Sequence, residues 1–266
     1  TINNWKPAKL LLDCTSDPTG VGCLASLAST AFSGIADNVH TMEENSETIG
    51  AAMQLLGSSQ PLNGLVAYFP FNGNARDASG NINNGTVHGA TLTSDRKGNL
   101  NKAYLFDGTN DYIEINHSSS LNFNQQITIS FWGKLETDAP YFYPYHIIEK
   151  HNCWGMGQRN NEIGSVILTP TKEFHIWSKE EFGVSFQFNR FYHFVMTYDG
   201  SKLNFYADGV LKATTPASGL LVQNTNKVFI GKYNFAGDYF FDGILDDIRI
   251  YNRALTQQEV TALYNE

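Results

Sequence analysis

Three tyrosines at alternate positions in one loop are the residues of this chain best suited to hold a ligand. The segment Asp138-Ala139-Pro140-Tyr141-Phe142-Tyr143-Pro144-Tyr145-His146 sets Tyr141, Tyr143 and Tyr145 where they can share a face. Trp154, Trp177, Tyr233 and Tyr239 follow in later segments flanked by turn residues. Sugars offer flat patches of C–H groups that stack on such rings, and the Asn, Gln and Asp of this chain can answer their hydroxyls. Ordinary loop packing is the competing reading for the three tyrosines. Groups for covalent chemistry are scarcer. Glu180-Glu181 and Asp246-Asp247 are adjacent pairs, which a regular strand points to opposite faces. No Gly-x-Ser-x-Gly, His-Glu-x-x-His or phosphate-cradling loop occurs. His146, His151, Cys153 and His175 are too irregularly spaced to suggest a transition-metal site. Cys14 and Cys23 bracket a Pro/Gly-rich loop that would let the two sulfurs meet, so a disulfide is expected, with two buried thiols as the alternative. A disulfide would imply an oxidising compartment, hence an extracellular or cell-surface location.

The composition narrows the classes of partner. Net charge is −8, charged residues make up 17% against a usual share of about 25%, and no basic run exists to displace counterions from nucleic acid. No apolar stretch approaches the roughly 18 residues of a membrane span. Aromatic residues, at 13%, exclude intrinsic disorder and leave a β-prone protein with a sizeable core.

These side chains would be positioned by two unlike parts, divided near Ser58-Ser59-Gln60-Pro61. Before the division, Ala28, Phe32, Ile35, Val39, Met42, Ser46, Ile49, Met53 and Leu56 succeed one another at alternating steps of four and three. That is a heptad stripe, and it predicts a helical, disulfide-tied segment over residues 1–60. Such a segment either packs on its own domain or, through residues 28–56, self-associates or docks to a larger assembly. From residue 61 onward, short alternating runs are separated by turn signals, as in an antiparallel sandwich. Phe191 to Tyr198, Leu203 to Ala207 and Val210 to Lys212, joined by Asp199-Gly200 and Asp208-Gly209, predict a three-stranded meander. Further strands are expected at 128–132, 228–231 and 248–251, with Arg249 and Tyr251 opposite the two isoleucines and Trp132 in the core. Thr256 and Glu259 form a capping box for a short C-terminal helix.

Several motifs, taken in order, carry a resemblance. Leu65-Val66-Ala67-Tyr68-Phe69-Pro70-Phe71-Asn72-Gly73 with Asp77-Ala78-Ser79-Gly80-Asn81, then Ala103-Tyr104-Leu105-Phe106-Asp107-Gly108, and the closing Leu245-Asp246-Asp247-Ile248-Arg249-Ile250-Tyr251-Asn252-Arg253-Ala254-Leu255, resemble a laminin-G-like jelly roll of the concanavalin A-like lectin/glucanase superfamily. The resemblance runs from about residue 64 to 264 and implies an all-β antiparallel jelly-roll sandwich. It covers lectin-like, adhesion and carbohydrate-binding modules as well as hydrolases. Hydrolases of this kind carry paired carboxylates at alternate strand positions. Glu136-Thr137-Asp138 is the nearest match, but it lacks the third carboxylate and runs into Pro140, so no catalytic residues are expected. The resemblance also implies a structural Ca²⁺ on Asp246, with Asp77 a second candidate. The alternatives are a pairing of Asp246 with Arg249 and an Asx-turn closed by Asp77. Together these readings describe a non-catalytic module that binds glycan or a surface protein. The second reading is a decorating component of an extracellular or viral assembly.

Overall fold

The computed structural model describes residues 63–137, 147–159, 162–178, 185–233 and 239–266. The expected helical segment over 1–60 and the Cys14–Cys23 pair lie outside these residues. In chain order the strands are β1 (Leu65–Phe69), β2 (Gly85–His88), β3 (Thr91–Thr93), β4 (Ala103–Asp107), β5 (Tyr112–Ile115) and β6 (Ile127–Leu135). They continue with β7 (Ile148–Lys150), β8 (Trp154–Arg159), β9 (Glu162–Leu168), β10 (Glu173–Trp177), β11 (Phe191–Tyr198) and β12 (Lys202–Ala207). The last are β13 (Val210–Pro216), β14 (Val228–Ile230), β15 (Lys232–Tyr233), β16 (Tyr239–Phe240) and β17 (Asp242–Tyr251), followed by helix α1 (Gln257–Tyr264).

The first sheet has the order β13-β12-β11-β6-β17-β4-β3, with β1 also paired to β17. The second has the order β10-β9-β8-β7-β14-β5-β2, and β15-β16 form a small ribbon. Every pairing among the described strands is antiparallel, and the sheets stack as an antiparallel sandwich of jelly-roll type. Alternation fills the space between them. Ile127, Ile129, Phe131 and Leu135 of β6 meet Phe194, Met196, Phe205, Ile248 and Ile250 on one side, and Ile113, Ile148, Trp154, Met156 and Ile167 on the other.

The two outer faces differ. On the first sheet, Val195, Tyr206 and Tyr251 are covered by Leu255, Val260 and Leu263 from α1 and the turn before it. The capping box holds that helix: Thr256 accepts from the Glu259 N–H, and the Glu259 carboxylate accepts from the Thr256 N–H and from Arg253. Trp132 belongs to this second layer, not to the core between the sheets. It stands on the face opposite Phe131, stacked on Tyr264 with centroids 5.6 Å apart. On the second sheet, His88 and Tyr112 at the β2-β5 edge stay half-exposed, whereas Glu149, Val166 and Trp177 of the same face are buried.

Candidate functional site

The register of the second sheet draws one row across its outer face. Thr86 pairs with Glu114, Glu114 with Phe229, Phe229 with Glu149, Glu149 with Gly155, Gly155 with Val166 and Val166 with His175. A neighbouring row begins with His88 opposite Tyr112 and ends with Gly164 opposite Trp177. Where β2, β5 and β14 meet the β15-β16 ribbon, four rings gather. His88 stacks on Tyr112 at 4.3 Å, and Tyr112 stands 6.0 Å from Phe229 and 6.4 Å from Phe240. The Lys232 ammonium sits among them, 4.9 Å from the Tyr112 centroid, 5.6 Å from Phe240 and 5.8 Å from Phe229. Such contacts hold a cation against ring faces and fix the rings about it. His88, Tyr112, Lys232 and Phe240 are half-exposed, while Phe229 is buried beneath them. Glu114 of the same face accepts from Lys227 at 2.6 Å. This is a platform of fixed, half-exposed rings edged by charged hydrogen-bonding groups.

The sequence-derived ligand residues fall in three groups. Tyr141, Tyr143 and Tyr145 lie outside the described residues. Tyr233 and Tyr239 pair across the ribbon, half-buried, with Tyr233 6.1 Å from His151. They adjoin the platform on the residues next to Lys232 and Phe240. Trp154 and Trp177 do not offer stacking faces. Trp154 is in the core beside Phe123, and Trp177 is 1% exposed, laid over Gly164 with the Arg159 guanidinium 3.8 Å from its ring. A Cβ on Gly164 would lie 2.2 Å from that ring, so the glycine is what seats it. His88, Tyr112, Phe229, Lys232 and Phe240 were not singled out by sequence. The alternation of Tyr112-Ile113-Glu114-Ile115 is the signal that could have placed Tyr112 outward.

The acidic residues expected to bind calcium are held differently. Asp246 and Asp247 do not point apart. A bulge between Asp246 and Arg249 leaves Asp247 with φ 49°, and the extra residue turns both carboxylates onto one guanidinium nitrogen. Arg96 Nη1 donates to Asp246 at 2.8 Å and to Asp247 at 2.6 Å. The Tyr68 hydroxyl donates to Asp247 at 2.8 Å, and Arg249 donates to Glu266 at 2.7 Å. Two guanidiniums thus face three carboxylates. Burial, and then the Asp247 charge beside it, push the Asp246 carboxyl up to about 7 despite Arg96. Burial also works to raise Asp247, but Arg249, Arg96 and the Tyr68 hydroxyl bring it below the usual carboxylate range. A calcium ion needs several oxygens turned toward it, whereas a guanidinium stands there. Asp77 likewise accepts from the backbone N–H groups of Tyr68, Ser79 and Asn83 at 2.9, 2.8 and 2.9 Å, closing an Asx-turn. Neither donor set fits a calcium ion, and among the described residues no cluster of three His, Cys, Asp or Glu side chains could hold a metal. Glu136 is paired with Lys134 at 3.1 Å, and Asp138 lies outside the described residues. Buried His193, in the layer under α1, bonds Ser130 Oγ at 2.8 Å; burial and the guanidiniums of Arg249 and Arg96 lower it to about 3.

A two-sheet jelly roll with one face closed by a helix and the other bearing fixed aromatic rings defines the class. The chain belongs to the concanavalin A-like lectin/glucanases superfamily, whose laminin-G-type family model matches residues 107–261, more than half of it. No curated protein matches the sequence significantly. Among solved structures, the binding domain of Paraclostridial Mosquitocidal Protein 1 is 20% identical with a TM-score of 0.63, over 77% of this chain and 53% of that one. Domain 4 of AbnA, a GH43 extracellular arabinanase from Geobacillus stearothermophilus solved in complex with arabinotriose, is 22% identical with a TM-score of 0.58, over 75% and 98%. The botulinum neurotoxin serotype G binding domain is 19% identical with a TM-score of 0.59, over 75% and 50%. The chain thus spans about half the length of the toxin binding domains it matches. Similarity at these identities is one of fold. Among the described residues no helix is long and apolar enough to cross a membrane.

Proposed function

We propose that this chain is a non-catalytic extracellular recognition module that binds a glycan, free or displayed on a surface protein, on the outer face of its second sheet. The observation that carries the reading is the half-exposed aromatic platform of His88, Tyr112 and Phe240 around Lys232. Pyranose and furanose rings stack on such surfaces, and Lys232, the Tyr112 hydroxyl and Glu114 supply donors and acceptors for their hydroxyls. Two of the similar structures are binding domains and a third, a domain of an extracellular arabinanase, was solved with arabinotriose, which supports the same reading. The test is a glycan array, with arabino-oligosaccharides included, probed with the full chain and with a Tyr112→Ala/Phe240→Ala variant. Each lost ring stack is worth roughly 0.5–1.5 kcal/mol, so the double variant should bind about 5- to 150-fold more weakly. Glycan binding that survives the double substitution unchanged would remove the platform from the function.

A further inference from the structure

The middle strand of the second sheet, β7, ends in a buried amine that recognition does not use. Lys150, the last residue of β7, is 1% exposed. Its Nζ donates to Asn122 Oδ1 at 2.5 Å and lies 3.4 Å from the Leu121 carbonyl and from His117 Nδ1. Asn122 is itself fixed, as the C-cap of a 3-10 turn over Ser119–Leu121 that follows β5. Burial pushes the Lys150 amine below the ordinary lysine range, although Cys153 opposes the shift, and burial pushes the Cys153 thiol up. An amine held without bulk water against a carboxamide is a nucleophile and an electrophile at high effective concentration.

We propose that Lys150 and Asn122 form an intramolecular isopeptide cross-link, with His117 as the proton carrier. The neutral Nζ attacks Asn122 Cγ, the Nζ–Cγ bond forms and the Cγ–Nδ2 bond breaks. His117 takes a proton from the attacking nitrogen and delivers it to the departing one, so that ammonia leaves. No oxidant or other reactant enters. The product ties the connection between β5 and β6 to the end of β7, across the boundary between the two sheets. A second contact serves as the comparison: Lys102 Nζ donates to Asn72 Oδ1 at 2.7 Å at an exposed site, outside any desolvated pocket, and that pair is expected to stay unlinked.

Intact mass spectrometry of the reduced full chain decides the matter. The cross-linked protein should be lighter than its sequence mass by about 17 Da, one ammonia. A succinimide at Asn63-Gly64, Asn72-Gly73 or Asn84-Gly85 would lose the same mass. A tryptic map separates the two, because the isopeptide yields one branched species joining residues 103–134 to 135–159, uncleaved at Lys150. His117→Ala should slow its appearance, and Lys150→Met should abolish it. Folded wild-type protein at its full sequence mass, or a mass loss that maps to linear peptides, would overturn the proposal, whether or not the Lys150 variant folds.

Discussion

Substituting Asp246 by Asn should make the protein more stable at neutral pH, by an amount that depends on pH in a defined way. Asp246 is buried, and its carboxyl is raised from 3.8 in the open chain to about 7. Between these values the unfolded chain has lost this proton and the folded one keeps it. The contribution of Asp246 is therefore fully present below about 4 and declines as pH rises to 7. The slope is about 1.4 kcal/mol per pH unit, or about 4 kcal/mol over the window. His193 acts in the opposite sense. Lowered from 6.5 to about 3, it is neutral in the fold while the unfolded chain is protonated, so stability rises with pH over that range. In the wild type the two slopes nearly cancel between pH 4 and 6.5. The Asp246→Asn variant keeps His193 and loses the opposing slope. Urea denaturation of both proteins at half-unit steps from pH 4 to 8, followed by far-ultraviolet circular dichroism, gives the difference directly. Relative to wild type, the variant should gain about 1.4 kcal/mol per unit up to pH 7 and then level off. A difference that does not vary with pH would mean that Asp246 stays ionised and that Arg96 outweighs burial and Asp247, refuting this account of the cluster.

Two further outcomes follow from packing and from the donor sets. Gly164→Ala places a Cβ 2.2 Å from Trp177 and should cost about 1–3 kcal/mol, read as a lower urea midpoint with the arginine-stacked Trp fluorescence shifted to the red. Excess calcium after EGTA treatment should leave the melting temperature unmoved, since a site bound at 100 times its Kd would add about 2.7 kcal/mol.

The sandwich was legible because its punctuation is local. The Asp199-Gly200 and Asp208-Gly209 turns bound β11, β12 and β13 as expected, with Asp208 itself at φ 50° and Gly209 at 74°. Alternation likewise placed Ile248 and Ile250 inward and Arg249 outward. Positions set by tertiary pairing were not legible. Trp132 reads as core from its apolar neighbours, but its layer depends on α1, which follows it by more than a hundred residues. The bulge that turns Asp246 and Asp247 together inserts one residue into β17, and an Asp-Asp pair is no signal for it. Arg96, their partner, comes from a turn 150 residues earlier. The platform was half visible. Tyr233 and Tyr239 drew attention through composition, whereas His88 and Tyr112 meet only because β2 pairs with β5.

Chemical-shift mapping of the full chain, titrated with the strongest glycan found on the array, tests the central claim most directly. The account predicts that the largest perturbations fall on His88, Tyr112, Phe229, Lys232 and Phe240, with the layer beneath α1 unmoved. Perturbations confined to other surfaces, with the resonances of those five residues unchanged at saturation, would contradict it.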